Sequence, residues 1–108
     1  MTNLEAISAS LYPYDVDTSL KEKACIDEEI DAQEDYTVTY KISVAKATIA
    51  ILRNLIVLAS ESNGSYSLSY NTNGLKERIF NIARENGLDD IAEEFDTQSK
   101  IIDISDQW

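Results

Sequence analysis

The chain has 108 residues, of which 44% are hydrophobic, and its net charge is −11. This length predicts one domain with an ordinary core, and the apolar fraction argues against wholesale disorder. The negative charge argues against binding to the nucleic-acid backbone. The sequence has no histidine, which removes the commonest general base and nitrogen ligand of metals. We therefore expect a protein that is not an enzyme and has no cofactor or metal.

The charges are unevenly distributed along the chain. Residues 1–36 contain ten acids and two bases, residues 37–60 contain three bases and no acid, and residues 61–108 contain ten acids and four bases. The apolar-rich region 44–59 is interrupted by charged residues and is too short to span a bilayer. The single cysteine, Cys25, cannot form an internal disulfide and is expected to be a small core residue.

Two capping boxes predict the first two helices. Thr2 and Glu5 have the spacing of the first, which opens a helix that runs to about Leu11 and ends before Pro13. Ser19 and Glu22 have the spacing of the second, which opens a helix to about residue 32. At helical spacing its apolar residues fall on one arc: Leu20, Ala24, Ile26 and Ile30.

The other side of this second helix and the residues after it are acidic. The acidic face contains Asp27, Glu28, Asp31 and Glu34. On a helix, Asp27 and Asp31 would be neighbours that repel each other mildly. A solvated face is the ordinary interpretation of such a cluster. A cation site and a docking face for a basic partner are the alternatives.

The third predicted helix begins near Thr37 and reaches about Ser60. Two adjacent stripes of apolar residues run along it, and the second stripe includes Ile42, Ile49 and Ile56. A helix that is apolar over so much of its circumference is buried on more than one side. It is either the central helix of a tight bundle, or part of it contacts another subunit. Ile42, Ile49 and Ile56 are the candidate interface residues in the second case.

A lone strand is predicted over residues 65–70, where apolar and polar residues alternate. Tyr66, Leu68 and Tyr70 share one face of it. Its backbone needs a partner, which is either a second short strand at residues 100–104 or a neighbouring molecule. Tyr66, Leu68 and Tyr70 are therefore also candidate interface residues.

Helical spacing returns at residues 75–86. Gly87 is placed to stop that helix, and Leu88 to make the apolar contact after it. A short helix to Phe95 follows. The predicted fold is mainly α: a compact bundle of four to five helices around a long central apolar helix, with one or two short strands. Residues 1–95 form the helical domain and residues 96–108 a C-terminal tail.

The order of these segments, together with the stretch GSYSLSYNTNGLK at residues 64–76, resembles a family of small uncharacterised proteins of phages and prophages of Bacteroides-type gut bacteria. The resemblance covers roughly residues 2–92. In size and helical layout that family is similar to phage head–tail connector (adaptor) proteins, which are helical subunits of a ring beneath the portal.

The resemblance implies a virion protein that is made in the bacterial cytoplasm and assembles with copies of itself, the portal and a tail-completion protein. From the acidic charge and the hydropathy pattern, we expect no sequence-specific nucleic-acid binding and no membrane association. The alternative is a small acidic phage-encoded regulatory module, which mimics DNA or inhibits a basic host protein. A connector has an oligomerising surface, whereas a DNA mimic has carboxylates spaced along one exposed face.

Overall fold

The structure is a computed structural model that describes residues 1–62, without the side chains of residues 59–62, and residues 72–96. The described residues form five α-helices, which confirms the mainly α fold class. The predicted strands near residues 65–70 and 100–104 lie outside the described residues, and so do Tyr66, Leu68 and Tyr70.

Helix α1 spans Asn3–Leu11, as predicted, and its capping box is present. The Oγ1 atom of Thr2 accepts a hydrogen bond from the backbone N–H of Glu5 at 3.2 Å. The Glu5 carboxylate in return accepts from the backbone N–H of Thr2 at 2.8 Å. These two bonds satisfy donors that a helix start otherwise leaves without partners.

Helix α2 spans Thr18–Asp27 and differs from its prediction at both ends. Its N-cap is Asp17, whose side chain makes no capping bond, so the capping box predicted at Ser19 and Glu22 is wrong. The helix ends about five residues earlier than predicted, because Glu29 adopts a left-handed conformation with φ of 59°. Ile26, which was predicted to share an apolar arc with Ala24, lies within the helix but is 73% exposed.

The end of α2 is a Schellman motif. The N–H of Glu29 donates to the carbonyl of Ile26, and the N–H of Ile30 donates to the carbonyl of Cys25, both at 2.9 Å. The left-handed position of this motif is usually glycine. Here it is Glu29, so no glycine marks the end of the helix in the sequence. Asp31 therefore lies outside the helix, and its predicted helical adjacency to Asp27 is wrong.

Helix α3 spans Lys41–Ser62 and follows a 3-10 turn at Val38–Tyr40. It packs against α1 and α2, and against α4 further along the chain. The fully buried Thr48 lies in its middle, where its hydroxyl donates to the carbonyl of Val44 at 2.8 Å. The buried core side of α3 is made of these apolar residues: Val44, Ala45, Ala47, Ile49, Ile51, Leu52 and Leu55.

Helix α4 spans Thr72–Glu85, and α5 spans Asp89–Glu94. Leu75, Ile79, Ile82 and Ala83 are the buried residues of α4, and α4 packs against α3 and α5. Gly87 has a φ of 69°, and the N–H of Leu88 donates to the carbonyl of Ala83 at 2.8 Å. The predicted glycine stop is therefore confirmed.

Candidate interaction surfaces

The acidic segment, which we define as residues 27–35, wraps around the N-terminus of α1. The backbone N–H groups of Asn3 and Leu4 donate to the carbonyls of Glu34 and Ala32, at 2.8 and 3.0 Å. The N–H of Tyr36 donates to the carbonyl of Met1 at 2.8 Å. The first turn of α1 is thus capped by main-chain atoms from about thirty residues further along the sequence.

The side chain of Asn3 also bonds to the acidic segment. Its side chain is fully buried, and its Nδ2 donates to the carbonyl of Asp31 at 2.9 Å. Sequence reasoning did not single out Asn3, since nothing in the local pattern separates it from an exposed first-turn residue. Because the segment is held through carbonyls and N–H groups, its carboxylates remain on the surface.

The acidic segment carries six carboxylates, Asp27, Glu28, Glu29, Asp31, Glu34 and Asp35. Lys23 pairs with Asp27 at 2.7 Å, but both side chains are more than half exposed, so the pair contributes little. The Tyr40 hydroxyl donates to the Glu34 carboxylate. That hydrogen bond, together with desolvation and the neighbouring negative charges, raises the pKa of Tyr40. Across the described residues, no group of three acidic, histidine or cysteine side chains could hold a metal ion.

The second surface is the exposed side of α3, which we call the α3 face. It consists of residues spaced three and four apart, which places them on one side of a helix: Ser43, Lys46, Ala50, Arg53 and Val57. Val57 is 50% exposed. The α3 face therefore contains two cations and no anion.

Helices α2 and α5 flank the α3 face. On the α2 side, an open cleft of about 300 Å³ is lined by Lys23, Ala24, Ala50 and Asn54, among others. On the α5 side, the guanidinium of Arg53 makes two bonds to the Glu94 carboxylate, at 2.9 and 3.1 Å. Lys46 borders a second open cleft, of about 470 Å³, which Asp89 and Asp90 also line.

The predicted α3 interface residues have three different environments. Ile49 is 2% exposed and belongs to the chain's own core, so its side chain is not on the surface of the single chain. Ile56 is half-buried and packs against that core. Ile42 is 41% exposed and remains available for contact, at the edge of the α3 face.

Cys25 is a core residue, as predicted. It is 1% exposed, and its pKa is raised by burial and, to a smaller extent, by the charges of Asp31 and Glu22. A thiol with a raised pKa stays protonated at neutral pH and is a poor nucleophile.

A family model described as a family of unknown function, DUF6706, matches residues 1–108. The chain belongs to DUF6706. No curated protein and no solved structure is detectably similar to this DUF6706 chain. Within the described part of the DUF6706 chain, no helix is long and apolar enough to cross a membrane.

Proposed function

We propose that this DUF6706 chain is a non-enzymatic assembly protein that packs against copies of itself. By the sequence resemblance, we further propose that it is a head–tail connector subunit of a phage. It would form a ring between the portal and a tail-completion protein in the virion, after synthesis in the bacterial cytoplasm. No catalytic group, cofactor or metal takes part in this role.

The observation that carries this proposal is the uncovered apolar surface of α3. Val57 is 50% exposed and Ile42 is 41% exposed, although the other sides of the same helix form the core. Complete burial of an exposed valine or isoleucine side chain contributes roughly 1.5–3 kcal/mol, and about half of each of these two side chains is still exposed. A neighbouring subunit that covers these side chains therefore adds stability that the isolated chain lacks.

The test is the oligomeric mass of the full chain, measured by sedimentation equilibrium from about 10 μM to about 1 mM, a range that covers weak association. We expect a mass that is a multiple of the 12.1 kDa monomer. Val57→Glu should shift the protein to the monomer, because it places a charge in the contact. The control is Ala9→Glu, which introduces the same charge at an exposed position of α1. A wild-type monomer at every concentration contradicts the assembly role.

The exposed acidic segment favours a second candidate, a regulatory module that binds a basic host protein. Six carboxylates on a segment that hydrogen bonds fix in place could mimic the phosphate spacing of DNA. In that case the wild-type chain should compete with duplex DNA for a basic DNA-binding protein, and Glu29→Lys with Asp35→Lys should remove the competition. If wild type and variant compete equally, the acidic segment is not a DNA mimic.

A further inference from the structure

The C-terminal end of α5 lies against the middle of α3. The guanidinium of Arg53 is 5.1 Å from the centre of the Phe95 ring, and it also binds the Glu94 carboxylate at 2.9 Å. Asp96 follows directly and is the last residue that the structure describes. These contacts place the point from which residues 97–108 continue on the α5 side of α3, beside Arg53.

The cleft of about 300 Å³ between α2 and α3, which we call the α2–α3 cleft, lies across the exposed side of α3 from this point. Its apolar lining consists of Leu20, Ala24, Ala50 and Ile51. Its two charged lining residues, Lys23 and Asp27, pair with each other at 2.7 Å. Because these two charges already balance, the α2–α3 cleft suits an apolar occupant better than a charged one.

Residues 97–108 fit the α2–α3 cleft in composition and in reach. Residues 97–100 are polar, whereas residues 101–108, which we call the apolar segment, contain Ile101, Ile102, Ile104 and Trp108. A helix with its side chains is about 10–12 Å wide, and four extended residues span roughly 13 Å. Residues 97–100 are therefore long enough to cross α3 and to bring the first isoleucine to the cleft.

The covalent connection favours the apolar segment over an occupant from another molecule. A short linker holds a tethered group at an effective concentration in the millimolar range, so a separate partner at micromolar concentration competes poorly. The match to the DUF6706 model extends to residue 108. The apolar segment thus belongs to the same family unit as the helices that form the cleft.

We propose that the apolar segment binds in the α2–α3 cleft of its own chain. Its isoleucine side chains cover the half-buried Leu20 and the exposed Ala50. Val57, which carries the proposed assembly contact, is not among the residues that line this cleft. The inference therefore does not depend on the assembly role.

Disulfide cross-linking in the full chain tests this proposal. Ser105→Cys with Ala50→Cys, the cleft pair, places one thiol in the apolar segment and one in the cleft. Ser105→Cys with Val57→Cys, the control pair, uses a position about one turn from Arg53 in the other direction and outside the cleft. A disulfide needs Cα atoms within about 7 Å of each other, so with oxidised glutathione we expect the intramolecular disulfide to form at least about tenfold faster in the cleft pair.

A second arm tests whether apolar contact holds the segment in place. Ile102→Ser with Ile104→Ser, added to the cleft pair, should lower the rate of disulfide formation to that of the control pair. The native Cys25 is 1% exposed, and Ser105→Cys alone controls for any reaction with it. Circular dichroism melting should show that all variants are folded.

Three outcomes overturn the proposal. Equal rates in the two pairs are expected if residues 100–104 instead pair with residues 65–70. An unchanged rate after the isoleucine substitutions would show that the tether alone brings the thiols together. Cross-linked dimers at about 1 μM, far below the effective concentration of the tethered segment, would place the segment on another copy. None of these outcomes alters the sedimentation result for the wild type, so failure here is distinguishable from failure of the assembly role.

Discussion

Glu29 is the position at which a single substitution should stabilise the protein most clearly. Its φ of 59° costs an L-residue roughly 1–2 kcal/mol, whereas glycine adopts this conformation freely. Glycine also gives the unfolded chain more freedom, which offsets roughly 0.4–1 kcal/mol of the gain. Glu29→Gly should therefore raise the free energy of unfolding by about 1 kcal/mol, or the melting temperature by roughly 4–8 °C.

The charge of Glu29 has to be separated from its backbone conformation. Glu29 is one of six carboxylates in the acidic segment and follows the carboxyl end of α2, where the helix dipole disfavours a negative charge. Glu29→Gln removes the charge and keeps the strain, so it should gain only a few tenths of a kcal/mol. Urea unfolding of the wild type and both variants measures the difference. Equal stability of Glu29→Gly and Glu29→Gln would show that the left-handed backbone at position 29 does not limit the stability of the protein.

Two further predictions concern helix ends. Gly87→Ala should lower the free energy of unfolding by about 1 kcal/mol. Its φ is 69°, which strains alanine, and an added Cβ meets no atom within 4 Å, so steric overlap does not contribute. No loss in urea unfolding would contradict this. The hydrogen bond from the Thr2 N–H lowers the pKa of Glu5 in the folded protein below its ordinary 4.5. The carboxylate therefore stabilises the fold fully above pH 4.5, and this stabilisation is lost as the pH falls through the pKa of Glu5 in the folded protein. The wild type should therefore be more stable than Glu5→Gln at pH 7, and the difference in the free energy of unfolding should shrink below pH 4.5. A difference that stays constant across this pH range in urea unfolding would refute the capping role of the carboxylate.

Two of the features that depend on a few neighbouring residues were predicted from the sequence, whereas the capping box at Ser19 and Glu22 was predicted wrongly. The Thr2–Glu5 capping box and the Gly87 stop are local motifs, and both occur as predicted. The stop of α2 was missed although its hydrogen bonds match those that follow α4. The residue in the left-handed position is glutamate there, and glutamate gives no conformational signal.

The candidate surfaces depended on contacts between distant segments, so the sequence predicted them incompletely. Ile49 and Ile42 belong to the same apolar stripe, but helix packing buries the first and leaves the second at the surface. The contact between Asn3 and the carbonyl of Asp31 joins residues 28 positions apart. Hydropathy patterns report which residues prefer burial, but they do not report which helix covers them.

The contact between residues 31–36 and α1 affects which substitutions this segment can accept in evolution. The path of the segment is set by main-chain carbonyls and N–H groups, which every residue type except proline supplies in full. The side chain of Asp35 can therefore be exchanged without altering the bonds that hold the segment. Surface chemistry and fold are separately adjustable here, so a new binding preference could evolve on this segment while the helices beneath it stay the same.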